Sequence, residues 1–277
     1  MGNLGPAEWG LLIAFLLSLG GAAGFLAGLL GIGGGLVLVP GLYFGLKALG
    51  FESAALMHVA VGTSLAVIIP TGMSSARAHW KRGVVRLDLV RKLGGGVLLG
   101  VAGGTLVASR IDEHGMTLFF ALALAALAVL MLLNPARFSP LQDVPRQPWI
   151  GLSGVGIGIF SSLMGIGGAT ISVPWMSMCR VPMHTAVGTA SALGLVIAVP
   201  AAAGFILIGW GQEGLPPFSL GYINFLAWPL IIPASVLAAP WGARLAHSVS
   251  VERLRRFFAA FLVVIAGKMI WSACWHG

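Results

Sequence analysis

Residues 28–40 read Gly-Leu-Leu-Gly-Ile-Gly-Gly-Gly-Leu-Val-Leu-Val-Pro, and residues 162–174 read Ser-Leu-Met-Gly-Ile-Gly-Gly-Ala-Thr-Ile-Ser-Val-Pro. Each stretch places a run of glycines inside an apolar segment, where each glycine costs about 1 kcal/mol relative to alanine in a helix. Glycine lets the backbone leave the helix and bring bare N–H groups close to a ligand. In lipid, such a break is tolerated only where protein or a water-filled cavity covers it. The two stretches therefore predict two broken helices that face protein or a cavity.

The alternative is that these glycines only let helices pack closely, as small residues spaced four apart do in membranes. Gly24 and Gly28 have that spacing, and they fit helix packing as well as any other role. The adjacent residues Gly33, Gly34 and Gly35 fit it poorly, because a packing face needs a spacing and not a run. We interpret this run as the point where the first helix breaks.

The composition is that of an integral membrane protein. The chain is 58% hydrophobic and 9% charged, against about 25% charged residues in an ordinary soluble domain. Apolar runs longer than the roughly 18 residues needed to cross a bilayer recur throughout. The basic residues lie in short loops between these runs, so the net charge of +8 indicates orientation in a lipid bilayer and not nucleic-acid binding. We predict an all-α polytopic membrane protein.

The chain divides into two homologous halves. We assign residues 1–134 to an N-terminal repeat, 135–148 to a cytoplasmic linker and 149–277 to a C-terminal repeat. Internal duplication of this kind is the usual build of secondary transporters. The matched blocks, in the same order in both halves, are Gly31-Ile32-Gly33-Gly34 with Gly165-Ile166-Gly167-Gly168, Val39-Pro40 with Val173-Pro174, His58 to Ser64 with His184 to Ala190, and Phe119-Phe120-Ala121 with Phe257-Phe258-Ala259.

The distribution of Lys and Arg favours halves that are inverted relative to one another. The loop at 77–92 holds six basic residues and is expected in the cytoplasm, as is the basic stretch 244–256. The loop at 210–219 contains Glu213 and no Lys or Arg, which predicts an external position. Both assignments hold only if each half is a glycine-broken hairpin plus three transmembrane helices. One long broken helix plus three would instead give parallel halves, and we favour inverted repeats.

The sequence resembles the sulfite exporter TauE/SafE family of anion permeases, over nearly the whole chain. The resemblance rests on the two glycine stretches with their Val-Pro ends, on both Ala-Val-Gly-Thr blocks, and on His-Trp-Lys-Arg-Gly at 79–83. It implies a secondary transporter that moves sulfite, sulfonates such as sulfoacetate, or related small sulfur-containing anions across the bacterial inner membrane by alternating access. Ala169 replaces the third glycine of the second copy, so the two clusters need not contribute equally.

The residue inventory fits anion transport independently. No Asp or Glu lies inside an apolar segment, whereas intramembrane carboxylates usually carry cations and protons. Helix N-termini and free backbone N–H groups can hold an anion without a buried ion. Among hydroxyls, Thr63 and Thr189 stand out because they are equivalent in the repeats, and the alternative for each hydroxyl is a bond to its own helix. The candidate substrate-binding residues are Gly33, Gly34, Gly35, Gly167, Gly168, Thr63, Ser64, Thr189, Ser191, Ser161 and Ser162.

His58 and His184 are equivalent residues that open their helices. A histidine with a pKa near neutrality is a candidate for coupling proton movement to transport. The alternative is an interfacial residue that only begins a helix. The sequence contains no Ser-His-Asp set, metal-ligand spacing or phosphate loop, so we expect neither an enzyme nor a bound metal or cofactor.

Two other functions remain open. One is a cation-coupled permease for another small metabolite, whose flux would depend on sodium. The other is a non-transporting membrane scaffold or assembly factor. A transporter needs both glycine clusters at one site near the middle of the membrane, whereas a scaffold does not. A homo-oligomer also stays open, because the sequence does not fix the oligomeric state.

The inverted arrangement predicts the labelling of introduced cysteines. A cysteine in the 77–92 loop and one at Arg253 should react with an impermeant thiol reagent only from the cytoplasm. A cysteine at Gln212 should react only from outside. Opposite sidedness at Arg253 and Gln212 would remove the inverted arrangement.

Overall fold

A computed structural model describes residues 5–30, 34–51, 53–133, 143–246 and 251–275. These residues form ten helices and one short β-hairpin. Six helices, α1, α3, α4, α5, α8 and α10, are long and apolar enough to cross a membrane, and α2, α6 and α9 are shorter apolar helices. The elements are α1 (Pro6–Leu30), α2 (Gly35–Ala48), α3 (Leu56–Lys81), α4 (Leu87–Ala108), α5 (Glu113–Leu133), α6 (Trp149–Met164), α7 (Ala169–Met178), α8 (Met183–Ile208), β1 (Ser219–Leu220), β2 (Ile223–Asn224), α9 (Ala227–Ala246) and α10 (Val251–Trp275). The predicted polytopic helical class is confirmed.

The first glycine cluster separates α1 from α2, as predicted. Gly34 lies beside Ala23 on α1, whereas Gly45, farther along α2, lies beside the earlier residue Phe15. The two helices are therefore antiparallel and form a hairpin. Residues 31–33, which include Gly33, lie outside the described residues.

The second glycine cluster ends α6. Gly165 has a φ of +61°, in the left-handed region that favours glycine. Its N–H donates to the Ser162 carbonyl at 3.4 Å, and the Ile166 N–H donates to the Ser161 carbonyl at 3.1 Å. This pair of bonds is the Schellman closure, which satisfies the last carbonyls of a helix. A new helix, α7, begins at Ala169.

The closest backbone contacts join the two halves. Helix α1 packs parallel to α9, and α6 packs parallel to α4. A Cβ added at Gly24 would lie 2.1 Å from the Ser235 carbonyl oxygen, and one at Gly158 would lie 2.3 Å from the Val97 carbonyl oxygen. These two contacts involve equivalent residues of the two repeats. The glycines that make such contacts form one stripe along α1 and one along α6, which we call the glycine stripes. They also include Gly20 against Ile231, Gly28 against Ala239, and Gly154 against Leu93.

The equivalent helices α3 and α8 cross near the centre of the bundle. Gly62 lies beside Phe205, whereas Gly72 lies beside Leu195, so the two helices run antiparallel. At the end of α3, the side chain of His79 lies beside Gly188 near the start of α8. The 82–86 loop therefore lies at one end of the helices, and the segment 209–226 lies at the other. The side of the membrane that each end faces, and the inversion of the halves, stay predictions.

The segment between α8 and α9 contains an element that the sequence did not predict. Ser219 pairs with Asn224, and Leu220 pairs with Ile223, in an antiparallel β-hairpin. Tyr222, at the turn, packs against Phe205 of α8 in T-shaped geometry, with the ring centroids 6.4 Å apart. The hairpin thus lies against the central helices and not free at the surface.

The glycine stripes predict a matched pair of stability effects. Gly24→Ala and Gly158→Ala place a methyl group against a backbone carbonyl, so each should lower the free energy of unfolding by roughly 1–3 kcal/mol. The controls Gly21→Ala and Gly156→Ala lie on the same two helices and face open space. The controls should leave the unfolding midpoint unchanged or slightly raise it. Equal midpoints in all four variants would contradict this packing.

Candidate functional site

The two glycine clusters meet inside the bundle. A Cβ at Gly35, the first residue of α2, would lie 2.6 Å from the Gly165 carbonyl oxygen and 2.9 Å from the Ile166 Cα. The Ser64 hydroxyl on α3 donates a hydrogen bond to the same Gly165 carbonyl at 2.7 Å. The start of α2, the middle of α3 and the second cluster therefore share one buried contact.

Several hydrogen-bond donors beside the second cluster lack a protein partner. The hydroxyls of Ser161 and Ser172 are buried and have no hydrogen-bond partner among the described residues. Within the same part of the chain, the N–H groups of Gly167, Gly168 and Ala169 donate to no acceptor. A buried polar group left unpaired costs roughly 1–3 kcal/mol. These donors also lie at the positive end of the α7 dipole, so an anion would satisfy them.

The donors are distributed unequally between the repeats. Ser161 is equivalent to Ala27 and Ser172 to Leu38, so the first half has no hydroxyl at either position. Ser172 was not among the candidates from the sequence, whereas Ser161 was, although neither has a hydroxyl counterpart in the first half. A serine in the first turn of the helix that follows a glycine break is the signal that would have found it.

Thr63 and Thr189 each accept a backbone hydrogen bond from the opposite half. Thr63 Oγ1 accepts the Asn224 N–H at 2.9 Å, and Thr189 Oγ1 accepts the Arg86 N–H at 3.1 Å. Asn224 and Arg86 are equivalent residues that precede α9 and α4. We call each of these contacts, between a threonine and the loop of the other half that precedes α9 or α4, a threonine joint. This shared structural role accounts for the repetition of the threonine without a ligand.

The glycine before each threonine completes this joint. A Cβ at Gly62 would lie 2.3 Å from the Tyr222 carbonyl oxygen, and one at Gly188 would lie 3.1 Å from the Val84 carbonyl oxygen. Tyr222 and Val84 are equivalent residues. Burial raises the pKa of the Tyr222 phenol, so this side chain is neutral. Each Ala-Val-Gly-Thr block is thus the docking surface for a loop of the other half.

Two further candidate hydroxyls bond their own helix, which is the alternative that the sequence left open. Ser162 donates to the Ile159 carbonyl at 3.0 Å. Ser191 donates to the Val187 carbonyl at 3.0 Å, and its oxygen lies 3.1 Å from the Ser75 hydroxyl across the α3–α8 contact.

The candidate glycines differ in the space around them. Gly34 and Gly168 precede the first residues of α2 and α7. A Cβ at Gly167 would make only ordinary contact, with the nearest atom of Ile68 at 3.5 Å, whereas one at Gly168 would lie 2.8 Å from Ile197. Gly167 is therefore the position where a methyl group can be added without disturbing the packing.

His58 and His184 have different environments. His58 is only 4% exposed, and its Nε2 lies 3.1 Å from the Ala108 carbonyl oxygen. Its Nδ1 has no hydrogen-bond partner among the described residues, and its ring lies 5.0 Å from that of Tyr222. His184 is exposed at the start of α8. Of the two, His58 is the candidate for a buried proton site.

Comparison with known proteins identifies the family. The family model described as Sulfite exporter TauE/SafE matches residues 16–269. The chain is 35% identical to a probable membrane transporter protein of Haemophilus influenzae over 264 residues, covering 93% of this chain and 97% of that protein. It is 25% identical to the probable membrane transporter protein YunE of Bacillus subtilis over 280 residues, covering 93% and 97%. No solved structure matches the chain.

The chain therefore belongs to the TauE/SafE family and is a multi-pass membrane transporter, not an enzyme. A third relative, a probable membrane transporter protein of Methanocaldococcus jannaschii, is 29% identical over 270 residues, covering 95% of this chain and 97% of that protein. The match to the family extends across both glycine clusters and both threonine joints.

The joints predict a loss of stability when the threonine oxygen is removed. Thr63→Val leaves the buried Asn224 N–H without an acceptor and should lower the free energy of unfolding by roughly 1–3 kcal/mol. Thr189→Val should act in the same direction on the Arg86 N–H. Thr63→Ser and Thr189→Ser keep the oxygen and should retain most of the stability. Valine variants that unfold normally but bind ligand weakly would instead show that these hydroxyls face the ligand.

Proposed function

We propose that this member of the TauE/SafE family is a secondary transporter that moves a small sulfur-containing anion, such as sulfite or a sulfonate, across the bacterial inner membrane by alternating access. The substrate class rests on the family. The mode of binding rests on the geometry of the second glycine cluster. The chain itself supplies the donors that the proposal needs.

The observation that carries the proposal is the set of unpaired donors around residues 165–168. We place the anion against the N–H groups of Gly167, Gly168 and Ala169, with the hydroxyls of Ser161 and Ser172 completing its coordination. All of these groups are neutral donors, and an oxyanion presents only acceptors to them. The N-terminus of α7 adds partial positive charge, so a buried cation is not needed.

The first cluster has a supporting role in this proposal. Gly35 lets the start of α2 approach the Gly165 carbonyl, and Ser64 holds that carbonyl in place. Together they fix the loop whose N–H groups meet the anion. Gly34, which precedes Gly35, lies beside Ala23 of α1, and Thr63 and Thr189 act by joining the halves.

Alternating access fits the burial of the site. Ser161 and Ser172 have no exposed surface, so an anion reaches them only after the surrounding helices move. The antiparallel directions of α3 and α8 support inverted repeats, which place a shared site between equivalent elements. His58, with its unpaired Nδ1, is the group that we propose for proton coupling.

Two observations weigh against the alternatives. The acidic residues among the described segments lie at helix ends or in loops, which leaves the middle of the bundle without the carboxylates that cation pathways use. The contact between Gly35 and Gly165 brings the two clusters together, which a scaffold would not require. We therefore favour the anion transporter over a cation-coupled permease and over an assembly factor.

Binding to the purified protein tests the proposal. Calorimetry with sulfite, sulfate, thiosulfate, taurine and sulfoacetate should give binding that follows negative charge, and uncharged dimethyl sulfone should not bind. Ser161→Ala and Ser172→Ala each remove a hydrogen bond to a charged group, worth about 1.5–3 kcal/mol, so each should weaken binding roughly tenfold or more. Since both hydroxyls are unpaired without ligand, neither variant should be less stable.

One further variant is a control, and another is a second test of the site. Ser162→Ala removes a neighbouring hydroxyl that already bonds its own helix, and its affinity should be unchanged. Gly167→Ala adds a methyl group that the fold accommodates, so a loss of binding there reports on the space for the anion. Normal affinity in Ser161→Ala, Ser172→Ala and Gly167→Ala together would place the site elsewhere.

A further inference from the structure

A second polar region lies at the end of the helices opposite the 82–86 loop. A cavity of about 300 Å³ opens there between the end of α2, the start of α5 and the end of α10. Its size is at the lower end of the range for small-molecule sites, which is about 300–1,000 Å³. The residues that line it are Tyr43, Lys47, Ala54, Asp112, Glu113, His114, Thr117, Ser272 and Ala273.

The two carboxylates in this cavity are held by the backbone. Asp112 Oδ1 accepts the Gly115 N–H at 2.9 Å, and Glu113 Oε2 accepts the Leu56 N–H at 3.1 Å. In each case the second carboxylate oxygen has no partner among the described residues. Both groups are therefore positioned, and each keeps an oxygen for a ligand.

The cavity also contains a cation that does not pair with these carboxylates. Lys47, on α2, forms no ion pair with Asp112 or Glu113 within 4 Å in the described structure. Its ammonium lies 5.9 Å from the centre of the Tyr43 ring. Opposite charges thus line the same cavity without forming an ion pair with one another in the described structure. A ligand that carries both charges would meet each of them.

The cavity lies at one end of the membrane-spanning segments. The spans that begin at Leu56 and Glu113, and the span that ends at Cys274, all have their ends here. Farther along α5 and α10, Leu122 and Val264 are exposed apolar residues, as expected of faces that meet lipid. A headgroup in the adjoining leaflet therefore lies at the depth of the cavity.

We propose that this cavity binds a zwitterion with a primary ammonium and an acid group on a short carbon chain. The acid group meets Lys47, and the ammonium meets the free oxygens of Asp112 and Glu113. A simple anion would face two carboxylates and one lysine, so it is disfavoured by charge. The ethanolamine phospholipid headgroup and free phosphoethanolamine share this chemistry.

The test compares lipids that differ in one group. The purified full-length protein is placed in nanodiscs of phosphatidylglycerol alone, or of phosphatidylglycerol mixed with either phosphatidylethanolamine or phosphatidylcholine. The ethanolamine lipid should raise the unfolding midpoint by several degrees and remain bound in native mass spectrometry. The choline lipid has no ammonium N–H groups and should do neither. Phosphoethanolamine and ethanolamine added in detergent distinguish a free zwitterion and a simple cation from the lipid.

Two variants link the effect to the cavity. Lys47→Met removes the cation, and Asp112→Asn removes a charge while its side-chain oxygen can still accept the Gly115 N–H. Both should abolish the shift that the ethanolamine lipid causes. The control is Lys268→Met, whose ammonium lies 4.4 Å from the Phe44 ring centre and outside the cavity lining. This control should retain the shift.

Each remaining outcome decides between explanations. A shift with both the ethanolamine lipid and phosphoethanolamine supports the zwitterion and assigns it to either source, and a shift with the lipid alone assigns it to the membrane. An equal shift with ethanolamine shows a simple cation site and overturns the proposal. No shift with any probe, or shifts that persist in Lys47→Met and Asp112→Asn, also overturns it.

Discussion

A backbone that leaves the helix inside a membrane must have its N–H and C=O groups covered by protein, because lipid offers no hydrogen bonds. The turn at Gly165 meets this constraint in part through the Schellman bonds of its own helix and in part through the Ser64 hydroxyl. The start of α2 at Gly35 covers the same turn. The N–H groups of Gly167 and Gly168 still have no acceptor among the described residues. The anion that we propose would accept their hydrogen bonds.

The same constraint explains why the halves hold each other so closely. Where Gly24 meets Ser235 and Gly158 meets Val97, the absence of a side chain lets backbones approach to a distance that any Cβ would prevent. In lipid, such contacts replace the hydrophobic driving force that associates helices in water. Because the contacts recur at equivalent positions, one duplicated pattern of small residues builds both interfaces.

The sequence predicts the broken helices and the repeat from composition and spacing, but it does not distinguish hydroxyls that hold the fold together from hydroxyls that are left without a partner. Thr63 and Thr189 were candidates because they are equivalent in the two repeats. In a duplicated fold, however, a residue that holds two segments together recurs as readily as a residue that binds a ligand. Ser172 was not a candidate, because only its burial without a hydrogen-bond partner distinguishes it, and that is a property of the folded structure. The environment of His58, unlike that of His184, depends on Tyr222, which lies in a hairpin that short-range patterns did not indicate.

These contacts also determine which parts can move together. Rocking residues 1–134 against 149–277 would separate α1 from α9 and α6 from α4, and would expose backbone carbonyls to lipid. The bond from Thr63 to Asn224 joins α3 to the α1–α9 pair, and the bond from Thr189 to Arg86 joins α8 to the α4–α6 pair. In the alternating access that we propose, each moving unit would therefore combine helices from both halves. The contact between Gly35 and Gly165 lies between these two units, so a movement that preserves the joints opens the bundle at the proposed anion site.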